Sequence, residues 1–77
     1  MYGIKAYILV SVENGASIEV QSALGKIAGI TCVELLSGIY DLIVTVHASD
    51  MKMLGIIHIA VGKTRYVINN RTDVVFD

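Results

Sequence analysis

The residues best suited to chemistry in this sequence gather in one short stretch, Ser37-Gly38-Ile39-Tyr40-Asp41. Asp41 is a carboxylate at the start of an apolar strand, an odd choice for packing alone. It suits a charge-assisted hydrogen bond to an ammonium group. A turn-capping or solvated Asp is the simpler alternative. Gly38 makes a hairpin turn, and its missing side chain would also let a ligand approach the backbone. Tyr40 offers a flat apolar face and a hydroxyl, which fits a ligand wall as well as an interface aromatic. His47 and His58 are the only imidazoles, and no third ligand stands at a helpful spacing, so no metal site is expected. His47 reads as a strand-end surface residue and His58 as a helix contact. Cys32, the single cysteine, lies in an apolar run and reads as a small core residue. Met51 and Met53 read as packing residues. No nucleophile, base and orienting group stand together, and there is no phosphate loop, so no enzyme activity and no cofactor are expected.

Composition narrows the classes further. The 77 residues make one domain, 1–77, with 55% hydrophobic and 17% charged residues. A chain this short buries about 60% of its unfolded surface and has a thin stability margin. One cysteine excludes an internal disulfide, which leaves self-association as the means of hiding so much apolar surface. The net charge is −1, with scattered Lys and Arg and no basic run, which argues against direct nucleic-acid binding. Residues 1–12 lack a signal-peptide pattern, and the longest near-continuous apolar run, 53–61, is far below the ~20 residues of a membrane span. The expected compartment is the cytoplasm.

Six elements position these residues. Residues 4–12 alternate, with Ile4, Ala6, Ile8, Val10 and Val12 on one side and Lys5, Tyr7, Leu9 and Ser11 on the other, which predicts a strand. Glu13-Asn14-Gly15 is a turn. Val20, Ala23, Leu24 and Ile27 form a helical stripe that Gly29 stops. Residues 30–36 and 40–46 are strands joined by the Ser37-Gly38 hairpin, the second carrying Leu42, Val44 and Val46 on one face and Ile43 and Thr45 on the other. Ser49 reads as the N-cap of a helix over 51–61, with Asp50 favourable at the positive end of its dipole. That helix is apolar almost all round, which predicts that its second side meets a neighbouring subunit. Gly62 ends it. Residues 66–76 form the last strand, with a bulge expected around Asn69-Asn70-Arg71.

The order βαββαβ is the ferredoxin-like α+β arrangement: a four-stranded antiparallel sheet with two helices on one face. The other face carries Tyr7, Leu9, Ile43 and Thr45. Two such faces packed together give a homodimer of the dimeric α+β barrel type, stabilised by ~25 cal/mol per Å² of apolar surface removed from water.

The stretch 37–44, Ser-Gly-Ile-Tyr-Asp-Leu-Ile-Val, resembles the Gly-x-Tyr-Asp turn of the Lrp/AsnC family's C-terminal effector-sensing domain, the RAM domain. Residues 6–10, the junction 26–30 and residues 71–75 carry the same resemblance, so it covers nearly the whole chain. Ala28-Gly29 and Val61-Gly62 stand where the family often has Pro before Gly, and the second helix is shorter and more apolar. The resemblance implies amino-acid sensing in transcription regulation. It places the effector between dimers, near the turn of Gly38, Ile39, Tyr40 and Asp41, with Asp41 on the amino acid's ammonium and Asn70 and Thr72 nearby in the last strand. It implies dimers assembled into a ring, an octamer being the expected size. Full-length members carry a helix-turn-helix that these residues do not contain, so a full-length Lrp/AsnC regulator is an expected partner. The alternative is a small oligomeric enzyme of the dimeric monooxygenase type, which shares the layout and would use His47 or His58.

Overall fold

In the computed structural model, residues 3–76 are described; residues 1, 2 and 77, the ends of the expected 1–77 domain, lie outside the described residues. The elements are β1 (Ile4–Val12), α1 (Ser17–Leu24), β2 (Ile30–Leu35), β3 (Leu42–Ala48), α2 (Met51–Gly62) and β4 (Val67–Val74). They form one antiparallel sheet in the order β2-β3-β1-β4. The fold is the expected ferredoxin-like α+β arrangement. No described helix is long and apolar enough to cross a membrane.

The period-two pattern of β1 does what it predicts. Ala6, Ile8 and Val10 are fully buried beneath the helices, together with Leu42, Val44 and Val46 of β3. Helix α1 contributes Val20 and Leu24, and α2 contributes Leu54, Ile57 and Val61. These residues repeat at four, three and four positions, the spacing of a single helix face. No buried side-chain nitrogen or oxygen among the described residues lacks a partner.

Several boundaries differ from expectation. Helix α1 stops at Leu24, five residues before Gly29, and Ala23 and Ile27 are not part of its buried stripe. The chain leaves the helix at Gly25, a weak helix former, through turns in which the Lys26 and Ile27 amides donate to Ala23 and Leu24. Gly29 instead adopts φ 95°, and a Cβ there would lie 2.6 Å from Ile57 Cδ1. Helix α2 therefore packs directly onto the backbone that feeds β2. The N-cap of α2 is Asp50 rather than Ser49: its Oδ1 accepts from the Met53 amide at 2.8 Å. Strand β3 begins at Leu42 and runs to Ala48, because residues 36–41 are held as a loop. The bulge falls earlier than Asn69-Asn70-Arg71. Val12 pairs with Val67 and Ser11 with Asn69, so Ile68 is the extra residue, 65% exposed. Cys32 is exposed and not in the core. It lies on an edge strand, and its pairing with Thr45 turns it to the face away from the helices.

That second sheet face has no helix over it. Tyr7, Leu9, Ile43 and Thr45 line its centre, each only half-buried by its neighbours. On the outer side of α2, Met51, Ile56 and Ile59 are also exposed.

Candidate functional site

The loop between β2 and β3 is fixed by Asp41. The Leu36 amide donates to the Asp41 carbonyl at 2.8 Å, and the Asp41 amide donates to the Val10 carbonyl at 2.8 Å. The carboxylate then takes over where β3 ends as a partner for β1: Oδ2 accepts from the Val12 amide at 2.9 Å. A half-buried backbone N–H that would otherwise face no acceptor is thereby satisfied. Asp41 is thus a structural cap with one oxygen committed to the Val12 amide.

The loop tip is open. Ile39 is 92% exposed, and no atom lies within 4 Å of where a side chain at Gly38 would begin. Tyr40 is half-buried. The Arg71 guanidinium is held above its usual pKa, chiefly by its hydrogen bond to Asp73 and that residue's charge, with the Tyr40 phenol adding to it. The Arg71 Nε–Asp73 Oδ1 distance is 3.2 Å, and both side chains are largely exposed.

Asn70 and Thr72 lie elsewhere. They pair with Val10 and Ile8, the core-facing residues of β1, and so sit on the helix side of β4. Thr72 Oγ1 is 2.7 Å from His58 Nδ1 on α2. The Asn70 amide nitrogen lies against Gly62, 3.1 Å from where a Cβ would stand. Within one chain, Gly38, Ile39, Tyr40 and Asp41 share a loop, whereas Asn70 and Thr72 are on the opposite side of the sheet from Arg71. Residue-type reasoning passed over Arg71, although the two-residue period that turns Asn70 and Thr72 to the helices also turns Arg71 to the open face. It likewise gave His58 no specific partner, because the Thr72 contact joins segments 14 residues apart.

The remaining polar groups are dispersed. His47 is exposed at the end of β3, with Nδ1 3.3 Å from Thr31 Oγ1. No cluster of three His, Cys, Asp or Glu residues suited to a metal occurs among the described residues. A cleft of about 520 Å³ lies at the other end of the sheet, bordered by Lys5, His47 and Val75. The register places it several residues along β1 from the Asp41 loop, so it is not part of the same site.

No family profile and no curated protein matches the chain. Solved structures do. FFRP-DM1 is 26% identical and superposes with a TM-score of 0.88 over 95% of this chain and 99% of its own. Escherichia coli AsnC is 14% identical, with a TM-score of 0.90 over 99% of this chain and 52% of its own. A Neisseria meningitidis transcriptional regulator, solved as an L-Met complex, is 18% identical, with a TM-score of 0.84 over 96% of this chain and 50% of its own. The chain therefore spans about half the length of the latter two and nearly all of the first. The likeness seen in the Gly38-Ile39-Tyr40-Asp41 turn thus extends to the whole architecture, and the chain has the RAM-type fold of the Lrp/AsnC regulators.

Proposed function

We propose that this chain is an effector-sensing and self-assembling domain of the Lrp/AsnC type, that its effector is an amino acid, and that its output is transcription regulation. The observation that carries the reading is the Asp41 loop. It is anchored by three hydrogen bonds at its base, yet its tip presents bare backbone at Gly38 and an almost fully exposed Ile39. An exposed apolar side chain on a fixed loop is suited to a site completed by a second subunit. The Neisseria regulator's L-Met complex supports an amino acid as the ligand class.

In this reading Tyr7, Leu9, Ile43 and Thr45 meet their counterparts in a homodimer, and dimers join, as an octamer, around the loops. Gly38, Ile39, Tyr40 and Asp41 form one wall of the effector site, with Asp41 on the ammonium. Asn70 and Thr72 reach the site from the helix side of a neighbouring dimer. The effector acts by its differential affinity for the assemblies that close the site well or badly. A full-length Lrp/AsnC regulator sharing the same contacts is the proposed partner.

Calorimetry against the twenty amino acids, paired with native mass spectrometry, tests this. The expected result is saturable binding of one or a few amino acids and an oligomer distribution that shifts with them. A chain that stays monomeric and binds none of the twenty would overturn it.

A further inference from the structure

One polar pair interrupts the apolar layer between α2 and the sheet. His58 Nδ1 on α2 lies 2.7 Å from Thr72 Oγ1 on β4, and both side chains are half-buried. The other ring nitrogen, Nε2, has no hydrogen-bond partner among the described residues and is not buried, so it is open to a ligand. Asn70, two positions along the same side of β4, likewise has a side-chain amide with no partner among the described residues. The positions one turn from His58 on α2, Leu54, Gly55, Val61 and Gly62, carry no charge, and a side chain at Gly55 would meet nothing within 4 Å. Lys52, the other cationic residue of α2, stands six positions earlier. β1 and β3 turn only apolar side chains to the helices, and Arg71 and Asp73 of β4 face the other side of the sheet. A protonated His58 would therefore face no counter-charge among the described residues.

We propose that His58 and Thr72 form a receptor for a carboxylate of the effector, switched on by protonation of the imidazole. The proposal rests on the effector site proposed above, to which Thr72 and Asn70 belong, and adds the ligand group they read and its pH dependence. A neutral imidazole satisfies the 2.7 Å contact when the Thr72 O–H donates to Nδ1, and the hydroxyl hydrogen is then consumed. An imidazolium carries a hydrogen on both nitrogens, so Nδ1–H must donate to Thr72 Oγ1 instead. That releases the hydroxyl hydrogen, and Nε2–H and the Thr72 O–H both become donors in need of an acceptor. Two donors beside one positive charge match a carboxylate, whose oxygens only accept. The ligand supplies the counter-charge that the seam lacks. Histidine is the side chain whose charge ordinarily changes between about pH 5 and pH 8, so carboxylate binding takes up a proton there and strengthens as pH falls. The group read is the ligand's α-carboxylate, with Asp41 on the ammonium, or a carboxylate in its side chain.

Calorimetry at about pH 5.5 and about pH 8, in buffers of different ionisation enthalpy, measures both affinity and proton uptake. The probes are the amino acids that bind in the screen of twenty, the α-carboxamide of each, and the pair L-glutamate and L-glutamine. The unaltered chain is expected to bind roughly tenfold more tightly at the lower pH, with net proton uptake in between. His58→Gln, which cannot take up a proton, should bind equally at both pH values. Thr72→Val, which keeps the shape and removes the hydroxyl, should shrink the difference, and His47→Gln should leave it intact; circular dichroism confirms folding of each. A contact that only fastened α2 to β4 would alter stability in His58→Gln and leave the pH dependence in place. Loss of the pH dependence on amidation assigns the α-carboxylate, and a pH dependence that glutamate has and glutamine lacks assigns a side-chain one. Binding that does not vary with pH in the unaltered chain, or a pH dependence that survives in His58→Gln, would overturn the receptor while the effector reading stands. So would a pH dependence that survives amidation and is equal for glutamate and glutamine. Binding of none of the twenty would overturn both.

Discussion

The double role assigned to Asp41 makes a sharp prediction about two substitutions at one position. Asp41→Ala removes the acceptor of the Val12 amide, a 2.9 Å bond to a charged oxygen in a half-buried place. Hydrogen bonds to charged groups contribute about 1.5–3 kcal/mol, and an orphaned half-buried N–H falls in the same range, so the expected loss is about 2 kcal/mol. A 77-residue domain has a total stability of roughly 4–12 kcal/mol, so this is a large fraction. The corresponding drop in Tm is roughly 8–16 °C. Asp41→Asn keeps a carbonyl acceptor of the same shape and removes only the charge, so it should lose less than about 1 kcal/mol. Both variants should lose amino-acid binding, because neither offers a carboxylate to an ammonium. The assay is urea unfolding at one fixed protein concentration, since assembly and stability are linked, followed by calorimetry with the effector. Equal stabilities for Asp41→Ala and Asp41→Asn would refute the capping role. Unchanged affinity in Asp41→Asn would refute the ammonium role.

Leu9→Asp places a charge at the centre of the open sheet face and should convert the assembly to monomers in sedimentation profiles. Asp50→Ala removes the N-cap of α2 and should cost about 1 kcal/mol in urea unfolding, whereas Ser49→Ala should change stability by less than about 0.5 kcal/mol. Gly29→Ala forces a side chain into a left-handed position 2.6 Å from Ile57 Cδ1 and should destabilise by about 1–3 kcal/mol, with Ile57→Val in the same chain relieving part of the loss.

The sequence alone determined the six elements, their order and the two faces of the sheet. Alternation in residues 4–12 and 42–46 is a local property: a period of two puts Ile8 and Val44 on one side and Leu9 and Ile43 on the other whatever surrounds them. Element ends were less legible. The first helix stops at Leu24, ahead of the weak helix former Gly25, whereas Gly29 serves the close approach of Ile57, a contact between segments 28 positions apart that no local signal announces. Cys32 reads as core by its neighbours but is exposed, because burial depends on strand order, and β2 lies at the sheet edge. The site divides along the same line. Gly38 to Asp41 are contiguous and could be found as a motif, but that Asp41 serves the Val12 amide depends on β1 lying beside β3. Likewise, only the pairing of four strands aligns Glu34, Ile43, Leu9 and Arg71 in one row, because hydrogen-bonded register, not sequence distance, decides which side chains stand abreast.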